Sequence, residues 1–240
     1  MDSRVAVILA GGHGECLRLG QDYIHKLVLP IGPELLLEHQ IAWLREAEVR
    51  DIVLCLGLKA DQVRSRFGDG SRWGVKLRYS VEEKSLGTAG VVKALGLASL
   101  PDSLIVLPSD IYARSDCRKF FAFHETQASL ATVAVGPATA GSNGNAVVMG
   151  PSLEIIDFPD GTQSSRPEMA ALKVWIIRRS LLHFVPDDRP SDFIKDIFPA
   201  VIKAGESIVG YPESGELLDI GAPGVYESLL KRLAKKKAPR

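Results

Sequence analysis

The run "VAVILA", residues 5–10, leads without a polar break into the glycines of "VAVILAGGHGECLRLG". A strand made of six consecutive apolar residues has no side suited to water, so it must be covered on both faces. "RVAVILA", "DIVLCLG" and "KLRYSVE" all lack the clean alternation of a half-exposed strand. Helical spacing fills the intervals: Leu36, Ile41, Leu44 and Val49 in "PELLLEHQIAWLREAEV", then "KADQVRSRF", "GTAGVVKALGLA" and, after the strand "SLIVLPSD", "CRKFFAFHETQ". This rhythm predicts an α/β fold, a doubly wound and mostly parallel Rossmann-like sheet. After about residue 140, "NAVVMG", "LEIIDF" and "LKVWII" are strands joined by short turns, including "PDG" at 159–161, which predicts an antiparallel extension. The helix "SDFIKDIFPAVIKAG", with Asp192 or Ser191 as its N-cap, the strand "SIVGYPE" and the helix "PGVYESLLKRLAKK" follow. No linker or repeat interrupts the pattern. One domain over 1–240 is expected.

Charge narrows the partners. Lys+Arg and Asp+Glu each total 29, so no global field favours nucleic acid or an anionic membrane, and any phosphate site must be local. The basic "KRLAKKKAPR" reads as a solvated helix end and tail. Cys16, Cys55 and Cys117 are too few and too scattered for a disulfide framework or a zinc site. No signal-type segment or apolar run near the roughly 20 residues of a membrane span is present, and a reducing, cytoplasmic setting is expected.

Ligands of open α/β sheets sit beyond the carboxyl ends of the strands. Gly11, Gly12 and Gly14, Glu82 and Glu83, and Asp110 all follow strands directly. Glycines let a backbone approach a ligand and turn its N–H groups onto phosphate oxygens. Walker A is excluded, because "GGHGECLRL" lacks Gly-Lys-Ser/Thr. A dinucleotide fingerprint is excluded too, since Leu17 stands where its third glycine belongs.

With these segments in view, the chain resembles the sugar-1-phosphate nucleotidyltransferase family, whose motifs read LAGGxGxRLxPLT and PKPLxPVxGxPLL. "LAGGHGECLRL" and "HKLVLPIGPELLLEH" match in order and spacing, as do "FGDGSRWGVKLRYSVEEKSLGTAG", "VLPSD" and "LLDIGAPGVYESL". Within the family the look is nearest to heptose- and mannose-1-phosphate guanylyltransferases and N-acetylmuramate-phosphate uridylyltransferases. The resemblance implies the nucleotide-diphospho-sugar transferase fold. It also implies attack of a sugar-1-phosphate oxygen on the α-phosphorus of a nucleoside triphosphate, with GTP the first choice of base. Mg²⁺ is the implied cofactor, held by Asp110 and Asp219, and Lys26 is implied to contact the nucleotide phosphates. Leu9, Ala10, Gly11, Gly12, Gly14, Glu83, Leu86, Gly87, Thr88 and Ala89 match the base and ribose positions, with Glu82 the alternative acid and Thr88 a candidate opener of the helix. Gly144 matches a glycine bordering the sugar. The nucleotide part would cover about 1–110 and the sugar part about 111–240, and homo-oligomers are known among relatives.

The pattern breaks in four places. Cys16 stands where the family has the arginine that clamps the triphosphate, and a thiol supplies neither charge nor a planar fork; Arg18 is the nearest substitute. Ser109 replaces a glycine before Asp110. The family's Glu-Lys-Pro is missing after "LEIIDF", as is Asn-x-Gly from "AALKV", which leaves Lys173, Arg166 or Glu168 to contact the sugar phosphate. Trp175 reads as core. An active enzyme and a catalytically impaired nucleotide-binding relative both fit these departures.

Overall fold

The computed structural model describes residues 4–11, 16–19, 22–82, 84–138, 145–159 and 168–237; for 16–19, 22, 236 and 237 the description is of the backbone. Strand β1 (Val5–Ala10) lies between β6 (Asp51–Leu56) and β8 (Ser103–Pro108), parallel to both, and β7 (Lys76–Val81) adds in parallel outside β6. Val5, Val7 and Leu9 enter one hydrophobic cluster, while Ala6, Ile8 and Ala10 enter the cluster on the opposite face. That is the double burial the unbroken apolar run demands. β7 is the exception to the expectation of covered strands: it is the sheet's edge, and Lys76 and Val81 are exposed.

The antiparallel extension is present. β13 (Met169–Arg178) runs antiparallel to β8 and also pairs with β10 (Ala131–Pro137) and β11 (Ala146–Met149). β12 (Ile155–Asp157) closes that edge against β11, and β14 (Ile208–Pro212) lies parallel to β10. Three small ladders complete the strands: β2 (Cys16–Leu19) with β3 (Asp22–His25), β4 (Pro30–Ile31) with β5 (Glu34–Leu35), and β9 (Ile111–Arg114) with β15 (Glu216–Asp219).

The helices α1 (Leu36–Glu46), α2 (Ala60–Phe67), α3 (Gly87–Ala94), α4 (Cys117–Thr126), α5 (Phe198–Lys203) and α6 (Val225–Lys237) fall close to the expected segments. Val49, assigned to the stripe of α1, lies beyond its end yet is buried. Asp192 caps the π-helical turn Phe193–Ile197 that leads into α5, accepting bonds from Ile194 N and Lys195 N. Trp175 is core, 3% exposed and packed on Phe193 and Phe198. Among the described residues, no helix is long and apolar enough to cross a membrane. Cys55 and Cys117 are buried free thiols, and burial pushes Cys55 up to about 12.

Candidate active site

The carboxyl ends of β1 and β8 lie side by side, and Ser109 N donates to Leu9 O at 2.8 Å just beyond them. The next residue, Asp110, stands at the turn between β8 and β9. Gln40, buried on α1, holds this turn: its side-chain amide donates to the carbonyls of Pro108 (3.2 Å), Ser109 (3.4 Å) and Ile111 (2.8 Å). The sequence signal for this role is a polar residue inside the apolar stripe of α1. Ser109, fully buried, spends its main chain on these bonds.

Asp219 reaches the same place along the small ladder. It pairs with Ile111, and Ile220 N donates to Asp110 O at 2.9 Å. Gly221 then leaves a hollow: a methyl group built on it would lie 2.7 Å from Asp110 Oδ2, 3.0 Å from Lys26 Nζ and 3.1 Å from Asp219 Oδ1. Two acids separated by more than a hundred positions therefore face one small volume. Asp110 Oδ1 is buried with no hydrogen-bond partner among the described residues. An orphaned carboxylate oxygen, a second carboxylate and a hollow that a side chain would fill suit a hard divalent cation.

Lys26 closes one side, with Nζ donating to Asp110 Oδ2 at 2.9 Å. It opens a 3-10 turn, Lys26–Val28, capped by His25, whose Nδ1 accepts from Leu27 N at 3.2 Å. Gln62 of α2 accepts from His25 N at 3.0 Å. Burial pushes His25 down to about 4; the Ala10 carbonyl opposes that shift and the neighbouring Lys26 charge adds to it. The imidazole is therefore neutral at physiological pH and the cap persists.

Lys173 closes the other side, with Nζ donating to Asp219 Oδ2 at 2.6 Å. Its backbone has φ +60°, the left-handed region that glycine tolerates and a side chain occupies at a cost of about 1–3 kcal/mol. The register explains the position. Val133 of β10 pairs with Trp175 and Val135 with Ala171, so residues 172–174 bulge opposite Ala134 alone. At the same point the neighbour on the other side of β13 changes from β11 to β8.

The first loop and the "LGTAG" turn meet through Glu82. Its Oε1 sits where a Gly11 side chain would lie, and its Oε2 accepts from Leu86 N at 3.1 Å. Glu83, the favoured acid in the sequence, lies outside the described residues. Gly87, at φ +73°, packs so closely on the Ser191 backbone that no side chain fits. Ala89 N donates to Ser191 O at 2.9 Å and Ser191 N to Leu86 O at 2.9 Å. Thr88 does not open α3, as expected of it; Leu86 takes that position. The Thr88 hydroxyl instead donates to Asp192 Oδ2 at 2.8 Å and accepts from Phe193 N at 2.9 Å. The turn is thus docked onto the start of the α5 segment, a contact the sequence did not signal.

Leu9 and Ala10 end β1, and Gly11 follows it directly, against Glu82. Gly12, Gly14, Gly144 and Arg166 lie outside the described residues. For Cys16 and Arg18 the backbone is described: Cys16 pairs with His25 and Arg18 with Tyr23 in the β2–β3 ladder. Glu168 stands just before β13, where its carbonyl accepts from Ala138 N at 3.1 Å.

Comparison with known proteins supplies the family and the fold. The mannose-1-phosphate guanylyltransferase of Mycobacterium tuberculosis is 25% identical over 222 residues, covering 91% of this chain and 61% of the relative. The D-glycero-alpha-D-manno-heptose 1-phosphate guanylyltransferase of Aneurinibacillus thermoaerophilus is 23% identical over 95% of this chain and 97% of its own length. The chain thus spans about three fifths of the first relative and nearly all of the second. A UDP-glucose pyrophosphorylase structure with UDP-glucose superposes with a TM-score of 0.81 at 15% identity, covering 98% of this chain and all of that one, which establishes the shared fold. The nucleotidyl transferase family model matches residues 5–236, and the chain belongs to that family.

Proposed function

We propose that this protein is a sugar-1-phosphate nucleotidyltransferase. It joins a nucleoside triphosphate, with GTP preferred, to a sugar-1-phosphate and releases pyrophosphate. The observation that carries the reading is the convergence of Asp110 Oδ2, Asp219 Oδ1 and Lys26 Nζ on the hollow at Gly221. Further support comes from family membership and from the guanylyltransferase names of the two relatives.

The chemistry brings two anions together. A sugar-phosphate oxygen attacks the α-phosphorus, the bond from that phosphorus to the bridging oxygen breaks, and pyrophosphate leaves with the electron pair. No protein nucleophile is required; positioning and charge neutralisation lower the barrier. Asp110 and Asp219 would hold Mg²⁺, which when bound supplies charge stabilisation to the phosphate oxygens. Lys26, anchored by the His25-capped turn, meets the triphosphate. Gly11 leaves room for the Glu82 carboxylate, whose Oε1 lies where a side chain would sit, and Glu82 presents an acceptor toward the base. The sugar-phosphate enters from the side of β13, in keeping with a nucleotide half over about 1–110 and a sugar half over about 111–240.

The test is a matrix of nucleoside triphosphates against sugar-1-phosphates with Mg²⁺, read as pyrophosphate release. Turnover is expected in at least one cell and lost in Asp110→Asn. A blank matrix for the wild-type protein, with triphosphate binding retained in calorimetry, would contradict the proposal.

A further inference from the structure

Lys173 is held in a backbone conformation that ordinary side chains avoid, in the middle of a bulge, with its ammonium against Asp219. Strain of this kind persists where the surrounding structure over-determines it, and it clusters at ligand-gripping positions. The bulge delivers the lysine to the carboxyl end of β8, beside the turn that carries Asp110, because β13 runs antiparallel to β8 there.

Charge and exposure separate this lysine from its counterpart. The Lys26 and Asp110 side chains are 12% and 14% exposed, whereas those of Lys173 and Asp219 are 34% and 28% exposed. Two lysines and two aspartates cancel, so the cluster by itself has no net attraction for phosphate. A divalent cation on the two acids makes it doubly positive and competes with Lys173 for Asp219. The more exposed ammonium, on a flexible four-carbon stem, is the group free to turn outward.

We infer that Lys173 is the cation that receives the phosphate of the sugar-1-phosphate, parked on Asp219 until a divalent ion takes that carboxylate. The inference rests on the nucleotidyl-transfer reading and deepens it, because it assigns a substrate ligand on the side where the Glu-Lys pair of similar proteins is missing. Metal binding and sugar-phosphate capture are then coupled through one carboxylate.

Glycine tests this cleanly, because Lys173→Gly removes the ammonium and relieves the left-handed strain together. The variant is expected to melt within a few degrees of the wild type. Its KM for the sugar-1-phosphate rises by roughly tenfold or more while the KM for the triphosphate stays within about twofold. In a manganese titration without substrate, monitored by electron paramagnetic resonance, it binds Mn²⁺ several-fold more tightly. Lys173→Arg keeps most of the sugar-phosphate affinity. An unchanged sugar-phosphate KM, or a loss of Mn²⁺ affinity in Lys173→Gly, overturns the assignment and leaves a structural ion pair. If the wild type turns over no substrate, the parent reading falls. The Mn²⁺ titration and calorimetry with mannose 1-phosphate then decide Lys173 separately: equal values for wild type and glycine variant refute it.

Discussion

On the proposed reading, the nucleotide side and the sugar side of the site each present one lysine–aspartate pair, and the two are built differently. Lys26–Asp110 sits among parallel strands, fastened by Gln40 and a capped turn, with both side chains nearly out of solvent. Lys173–Asp219 joins a strand bulge to a short antiparallel ladder and remains about one-third exposed. A buried pair is fixed because releasing either member strands a charge away from water. An exposed pair contributes about 0–1 kcal/mol and exchanges partners readily. The fold thus places a rigid anchor beside an adaptable one.

The largest effect separating the two sides is expected from Asp110→Asn. Pyrophosphate release should fall by about 10³-fold or more, and breaking the largely buried Lys26–Asp110 pair should lower stability by about 1–3 kcal/mol in urea unfolding. Asp219→Asn should lose comparable activity yet change stability by less than about 1 kcal/mol. Equal destabilisation in both variants would erase the distinction between anchor and adaptable pair.

Gly221→Ala comes next. Its methyl would stand 2.7 Å from Asp110 Oδ2 and fill the hollow shared by both sides. A rate loss of about 10²-fold is expected, with a destabilisation of about 1–3 kcal/mol from crowding the fixed pair, read by parallel kinetics and thermal unfolding. Retention of full activity would mean that the hollow is not where the phosphates meet.

Gln40→Leu sharpens the account of rigidity on the nucleotide side. It removes the donor to three carbonyls around Asp110, and a destabilisation of about 1–3 kcal/mol is expected from leaving them unmet. The Mg²⁺ concentration for half-maximal activity should rise, and the sugar-phosphate KM should stay near the wild-type value. A change confined to the sugar-phosphate KM would place Gln40 in the wrong half.

Acid tests the anchor more gently. Burial pushes both His25 and His124 down to about 4. Both stay neutral in the folded protein while the unfolded chain takes up protons below about 6.5. Their stabilising effect is therefore complete above that pH and is lost as pH falls toward 4. The slope is about 1.4 kcal/mol per pH unit for each group. His25→Asn should flatten the slope of stability against pH by about one proton. An unaltered slope would show that His25 is not held neutral beneath Lys26.

The sequence made the deep sheet legible because β1, β6 and β8 are unbroken apolar runs that fit no other environment. Asp192 as a cap, Trp175 as core and the antiparallel extension after 140 were readable on local grounds, while the "PDG" turn lies largely outside the described residues. The small ladders were not: β9 and β15 are four residues each, "IYAR" and "ELLD", too short to show a period. Yet they bring Asp110 and Asp219 together, so the acids could be nominated before the route between them was visible. Lys173 stands out in the sequence only as a cation near the missing Glu-Lys-Pro. Its left-handed backbone follows from a register shift against β10, which depends on a strand some forty residues away. Gly87 and Thr88 suggested a ligand, but much of their conformation answers to the Ser191–Phe193 segment.

The most direct test is whether Asp110 and Asp219 share one divalent ion. Mn²⁺ is titrated into wild type, Asp110→Asn and Asp219→Asn with GTP present and monitored by electron paramagnetic resonance. One protein-dependent ion per wild-type chain is expected, weakened by about tenfold or more in each variant. Wild-type affinity in both variants would contradict the account.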